Sequence, residues 1–136
     1  MYVATATASD DEMAERIAHH RARRPATWRT LEAPFLGLAD YGDPKTLIVE
    51  DLTLLLSNLF ERDSANAEAL ASEALDVVCA LAANVVVVSN EVGMGIVPAN
   101  PLGRAFRDAL GRLNQHVAAT CDEVYLTVAG LPLRLK

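Results

Sequence analysis

His19 and His20, followed closely by Arg21, Arg23 and Arg24, form the densest group of reactive and anion-binding side chains in the sequence. A neutral imidazole can attack phosphorus and hold the product as a phosphoramidate, and neighbouring guanidiniums stabilise phosphate charge. Successive helical residues point about 100° apart, so only one of the two rings can face a given site. His20 follows Ile17 and Met13 by three and seven residues, which places it on the apolar, inward-facing stripe. His19 shares a stripe with Glu12, Glu15, Arg16 and Arg23 and faces solvent. The competing reading of His20 is a half-buried structural histidine near a helix C-terminus.

Glu50-Asp51 follows Leu47-Ile48-Val49, the form of a Walker-B strand end, in which a carboxylate holds Mg²⁺ directly or through water beside nucleotide phosphates. A carboxylate capping the next helix explains the same pattern equally well. Asn90 to Pro98 holds two glycines, an apolar pair and a proline in a loop long enough to read as functional. Arg104, Arg107 and Arg112 lie beyond it and read either as reaching a ligand or interface or as a solvated face. The three histidines and two cysteines lack metal-type spacing, which argues against a histidine metal site.

The elements that must position these residues alternate between strand and helix. Strand-type runs stand at 2–5, 28–31, 46–49, 85–88 and 123–129, with a possible last one at 131–135. The four consecutive valines at 85–88 have the character of a strand buried on both faces of a parallel sheet. Helical patterning covers 10–23, opened by the capping box Ser9-Asp10-Asp11-Glu12, then 52–60, 65–83 and 101–120. This order predicts an α/β domain with an open, mostly parallel sheet, spanning 1–136 as one unit. Ligands of such sheets bind beyond the carboxyl ends of the strands, which singles out Ala4-Thr5-Ala6, Glu50-Asp51 and Ser89-Asn90-Glu91.

Hydrophobic residues make up 51% and charged residues 22%, as in a globular chain with a sizeable core. A net charge of −6 argues against nucleic acid or anionic membrane as partner. The arginines concentrated between Arg16 and Arg29 suit a small anionic ligand instead. No apolar run reaches the roughly 20 residues of a membrane span, and the N-terminus lacks signal-peptide form. With no cysteine framework, a reduced cytoplasmic setting is the expectation.

Three stretches resemble the bifunctional adenosylcobinamide kinase / adenosylcobinamide-phosphate guanylyltransferase family of cobalamin biosynthesis. The first is Tyr2 to Ala6 with Asp11-Glu12-Met13, His19-His20-Arg21, Arg24-Pro25, Trp28-Arg29-Thr30 and Glu32. The second is Ile48-Val49-Glu50 with Leu52-Thr53 and Leu56-Ser57-Asn58-Leu59. The third is Val87 to Pro98, containing Asn-Glu-Val-Gly-Met-Gly-Ile-Val-Pro, followed by Arg104, Phe106-Arg107-Asp108 and Gly111 to Gln115. The resemblance implies a P-loop kinase-like (RecA-like) sheet and an enzyme using GTP or ATP with Mg²⁺. Its substrates would be adenosylcobinamide and adenosylcobinamide phosphate, and its assembly a homo-oligomer, a trimer in the family. It implies His20 as the residue that carries GMP. It further implies Ala4, Thr5, Ala6, Arg21, Ala22, Arg23, Arg24, Glu32 and Glu50 as nucleotide contacts, with Glu50 on the Mg²⁺ side. The chain departs from the family in having no G-x-x-x-x-G-K-[ST] loop; its only lysines are Lys45 and Lys136. The expectation is therefore an N-terminally truncated domain without the first strand, phosphate loop and first helix. Two unpaired strand edges and an uncovered apolar face should follow from that loss. The alternative function is a non-catalytic homologue that binds nucleotide or only oligomerises.

Overall fold

The computed structural model describes residues 1–37 and 39–136. The elements are β1 (Tyr2–Ala4), α1 (Asp11–Ala22), β2 (Thr30–Glu32), β3 (Thr46–Glu50), α2 (Leu52–Asp63), α3 (Ala67–Cys79), β4 (Asn84–Val88), a 3₁₀ turn (Val92–Met94), α4 (Pro101–Thr120), β5 (Tyr125–Val128) and β6 (Leu131–Arg134). The first four strands form one parallel sheet in the order β2-β1-β3-β4. From β1 the chain crosses to β2 on one side, and from β3 to β4 on the other. Strand order thus reverses between β1 and β3, the switch point where open α/β sheets bind ligands.

The register sets Tyr2, Ile48 and Val86 in one row and Ala4, Glu50 and Val88 in another on the same face. Val3, Leu47, Val49, Val85 and Val87 point to the opposite face. That face carries the core: Val3, Leu47 and Val49 pack with Leu55, Leu56 and Leu59 of α2, Leu75 and Val78 of α3, and Leu110 and Leu113 of α4. On the other face, Tyr2 is covered by the Arg24 guanidinium, 3.5 Å from its ring centroid, with Trp28 beside it.

Several expectations are corrected. The valine strand is not buried on both faces: β4 is an edge strand, Val86 is 50% exposed, and only Val85 and Val87 pack inward. On the face opposite the core Val86 and Val88 stand open, and β4, paired with β3 along five residues, has no strand on its other side among the described residues. Helix α1 is capped by Asp10, whose carboxylate accepts from the Met13 amide at 2.8 Å, and not by Ser9. An aspartate one residue further on caps as well as a serine does and starts the helix there. Strand β2 lies at Thr30–Glu32 instead of 28–31, since pairing with β1 and not local propensity fixes its place. Helix α3 is shorter than 65–83; Ala67 and Ala71 are buried, while Leu70 and, beyond the helix end, Leu81 are exposed. Helix α2 continues past Phe60 to Asp63. Leu102, in the first turn of α4, is exposed. β5 and β6 form a separate antiparallel hairpin across a two-residue turn with Ala129 and Gly130 at positive φ.

Candidate functional site at the strand carboxyl ends

Glu32, Ala4 and Glu50 stand in one row at the carboxyl edge of β2, β1 and β3, on the face opposite the core. The two carboxylates flank Ala4 across two strand spacings, roughly 10 Å at the backbone. Arg21, from the last turn of α1, forms an ion pair with Glu32. Arg24 lies over Tyr2, two residues before Ala4. Its Nε is buried without a hydrogen-bond partner, while its terminal nitrogen donates to Thr30 Oγ1 at 3.4 Å. Burial, and secondarily Arg21, lower the Arg24 pKa.

Glu50 is half-buried, and burial together with the Asp51 carboxylate raises its pKa. No hydrogen bond or ion pair opposes that shift among the described residues. Asp51 has a different task. Its carboxylate accepts from the Leu54 amide at 2.8 Å, capping α2. The helix-capping reading of the pair therefore holds for Asp51, while the Glu50 carboxylate forms no hydrogen bond or ion pair among the described residues.

Thr5 is fully buried and ties β1 to β3 twice: its hydroxyl donates to the Asp51 carbonyl at 2.8 Å and accepts from the Asp51 amide at 2.7 Å. Asn58, buried on α2, donates to the carbonyls of Thr5 at 2.8 Å and Pro34 at 2.9 Å, and accepts from Thr7 Oγ1 at 3.3 Å. At the end of β4, Asn90 donates to Thr53 Oγ1 at 2.8 Å and approaches Asp51 Oδ2 at 3.4 Å. Asn114 of α4 donates to the Asn90 carbonyl and to Glu91, and accepts from Ser89 at 2.6 Å. Sequence reasoning gave no role to Asn58, Thr53 or Asn114. The available signal was an amide within the apolar run of α2, since buried polar groups require partners.

Of the expected site residues, Ala4, Thr5, Arg21, Arg24, Glu32 and Glu50 come together, with Ala6 directly following. Ala22 and Arg23 are exposed, and Arg23 forms no ion pair among the described residues. His20 is exposed and does not face inward, because no residue of α1 is buried and Met13 and Ile17 are only half-covered. It remains next to Arg21, whose ion pair sets the end of α1 beside Glu32. The later arginines serve the chain itself. Arg104 donates to the carbonyls of Pro98 and Ala99, Arg107 pairs with Asp108, and Arg112 pairs with Glu68 of α3. His116 pairs with Asp76 at 2.8 Å.

A parallel four-stranded sheet with helices on it and carboxylates at its switch point defines an α/β domain of the P-loop-like class. The family model for cobinamide kinase / cobinamide phosphate guanyltransferase matches residues 1–135, and the chain belongs to that family. The bifunctional adenosylcobalamin biosynthesis protein CobP of Pseudomonas aeruginosa is 45% identical over 144 residues, covering 99% of this chain and 81% of that protein. The CobU proteins of Salmonella typhimurium and Escherichia coli are 40% identical over 154 residues, covering all of this chain and 85% of each. Those alignments span 154 positions against 136 residues, so both relatives have residues within the matched span that this chain lacks.

Proposed function

We propose that the chain is an adenosylcobinamide kinase and adenosylcobinamide-phosphate guanylyltransferase, acting in the cytoplasm. The observation that carries this reading is the family match along the whole chain, joined to the convergence of Arg21, Glu32, Ala4 and Glu50 on one sheet edge. In the first reaction the cobinamide hydroxyl attacks the γ-phosphorus of a nucleoside triphosphate, and the diphosphate leaves. In the second, a His20 ring nitrogen attacks the α-phosphorus of GTP; the N–P bond forms as the bond to pyrophosphate breaks. The phosphate oxygen of cobinamide phosphate then attacks the same phosphorus and frees His20. An exposed ring on the last turn of α1 can approach a nucleotide lying over Ala4 to Ala6, with Arg21 and Arg24 beside the phosphates.

Mg²⁺ fits this donor set. Among the described residues no cluster of three or more His, Cys, Asp or Glu side chains could cage a metal. Mg²⁺ does not need one: it is commonly held by one or two carboxylates, water and substrate phosphates. Glu50 would hold it and Glu32 stands in the same row. The ion would neutralise phosphate charge. The homo-oligomer is part of the proposal, supported by exposed Val86, Met94, Ile96 and Leu131.

Incubation with α-³²P-GTP and Mg²⁺ tests the reading. Wild type should acquire acid-labile label and His20→Ala should not. Label kept by His20→Ala and lost from His19→Ala would move the acceptor to the other ring.

One observation favours a non-catalytic, nucleotide-binding reading. Lys45 precedes β3 at the amino end of the sheet, and Lys136 donates to the carbonyls of Ala118 and Ala119, so neither lysine reaches the site. Calorimetric titration with GTP and cobinamide, alongside a turnover assay, separates the two. Binding without turnover supports the second reading; binding with turnover removes it.

A further inference from the structure

We propose that Thr5 and Asn58 are positioning residues, a buried clamp that fixes the nucleotide-facing backbone after β1 against Glu50. The inference rests on the nucleotide reading given above. Three segments leave the carboxyl edge next to one another, after β1, β2 and β3, and a three-residue strand such as β1 cannot fix the course of the chain beyond its last ladder bond. The Asn58 carboxamide takes over that task. It holds the Thr5 carbonyl at 2.8 Å, the Pro34 carbonyl at 2.9 Å and the Thr7 hydroxyl at 3.3 Å. One side chain thereby joins the segment after β1 to the segment after β2, from a helix that belongs to β3.

Thr5 completes the arrangement. Its hydroxyl both donates to and accepts from the Asp51 backbone, and its own amide donates to the Glu50 carbonyl at 3.0 Å. Ala4 to Ala6 and Glu50 are therefore held in one frame by two buried side chains that need not touch a ligand themselves. The surroundings require this chemistry. Asn58 sits among buried Leu55, Leu56 and Leu59, where an unpartnered amide would be costly. Positioning groups that keep site atoms within about 0.5 Å of the working geometry are characteristic of functional sites.

The test compares Thr5→Val, Thr5→Ser and Asn58→Leu with wild type in a two-substrate assay with GTP and cobinamide. Thr5→Val and Asn58→Leu should raise KM for GTP about tenfold, the equivalent of one lost well-placed hydrogen bond, and leave KM for cobinamide within about twofold. Thr5→Ser, which keeps the hydroxyl, should return KM for GTP toward the wild-type value. A purely structural role predicts a smaller active fraction with both KM values unaltered, and that result overturns the clamp. If wild type shows no turnover, the enzymatic reading fails, and amide hydrogen exchange decides the clamp separately. Asn58→Leu should then speed exchange at least about tenfold in 5–7 and 33–36 while α4 is unaffected. Uniform acceleration, or none in those segments, would reject it.

Discussion

Glu50 carries an internal conflict at the scale of one side chain. Burial and the Asp51 charge raise its pKa above that of the unfolded chain. Between the two values the native state binds more protons than the unfolded state, so stability falls as pH rises through that window. The ionised carboxylate is thus a cost near neutral pH, reduced by its partial exposure. Glu50→Gln should therefore raise thermal stability at pH 7 by under about 1 kcal/mol and have no effect at pH 4, as calorimetric melts at the two pH values would read. The same variant should lose GTP-dependent activity if Glu50 serves Mg²⁺. Arg24 shows the converse arrangement, a cation stacked on Tyr2 with its Nε buried. Arg24→Lys keeps the charge but loses the planar stack, and should cost about 0.5–2 kcal/mol in chemical denaturation.

At the scale of elements, α4 couples the core to the loop before it. Asn100 caps its first turn, Pro101 opens it, and Arg104 holds the loop through the carbonyls of Pro98 and Ala99. Gly103 makes that closeness possible: a Cβ there would stand 2.9 Å from the Pro98 Cβ and 3.1 Å from Asn100 Oδ1. Gly103→Ala should destabilise by about 1–3 kcal/mol, whereas Gly111→Ala on the same helix, with nothing within 4 Å of the new Cβ, should stabilise by about 0.5–1 kcal/mol. Urea denaturation of the two variants gives opposite signs if this packing is right. Gly93 and Gly95, by contrast, have no such close neighbour, so the protomer's own packing does not demand glycine at either position. The 101–120 helix was legible in full because proline, an asparagine cap and a 3.6-residue apolar period coincide there. The 65–83 expectation failed at both ends because a run rich in alanine has helical propensity on every side and its period cannot tell which face the sheet will cover.

The whole molecule is one-sided. Helices α2, α3 and α4 bury one face of the sheet, while on the other only the β1 region is covered, leaving Val86 and Val88 open at the β4 edge. A substitution there should spare the fold of the protomer and show itself in association. Val86→Glu should leave the melting temperature within about 2 °C at low concentration and lower the sedimentation coefficient of any oligomer. Loss of the folded protomer itself would mean that Val86 belongs to the core. Among the described residues no helix is long and apolar enough to cross a membrane.

The sequence by itself determined the element types, the parallel sheet and the segments that meet at its carboxyl edge, because each is written in local periodicity and punctuation. It also contained the family resemblance, from the His19-His20-Arg21 helix to the loop before Pro98. Only the tertiary structure decided which face each element shows. The valine strand is apolar at every position, so nothing local distinguishes a central strand from an edge strand. His20 lies on the predicted stripe of α1, but that helix rests on little and the stripe is half-covered. Asn58 is the clearest case, since a single amide in an apolar helix has no role until two strand ends, distant in sequence, are brought to it.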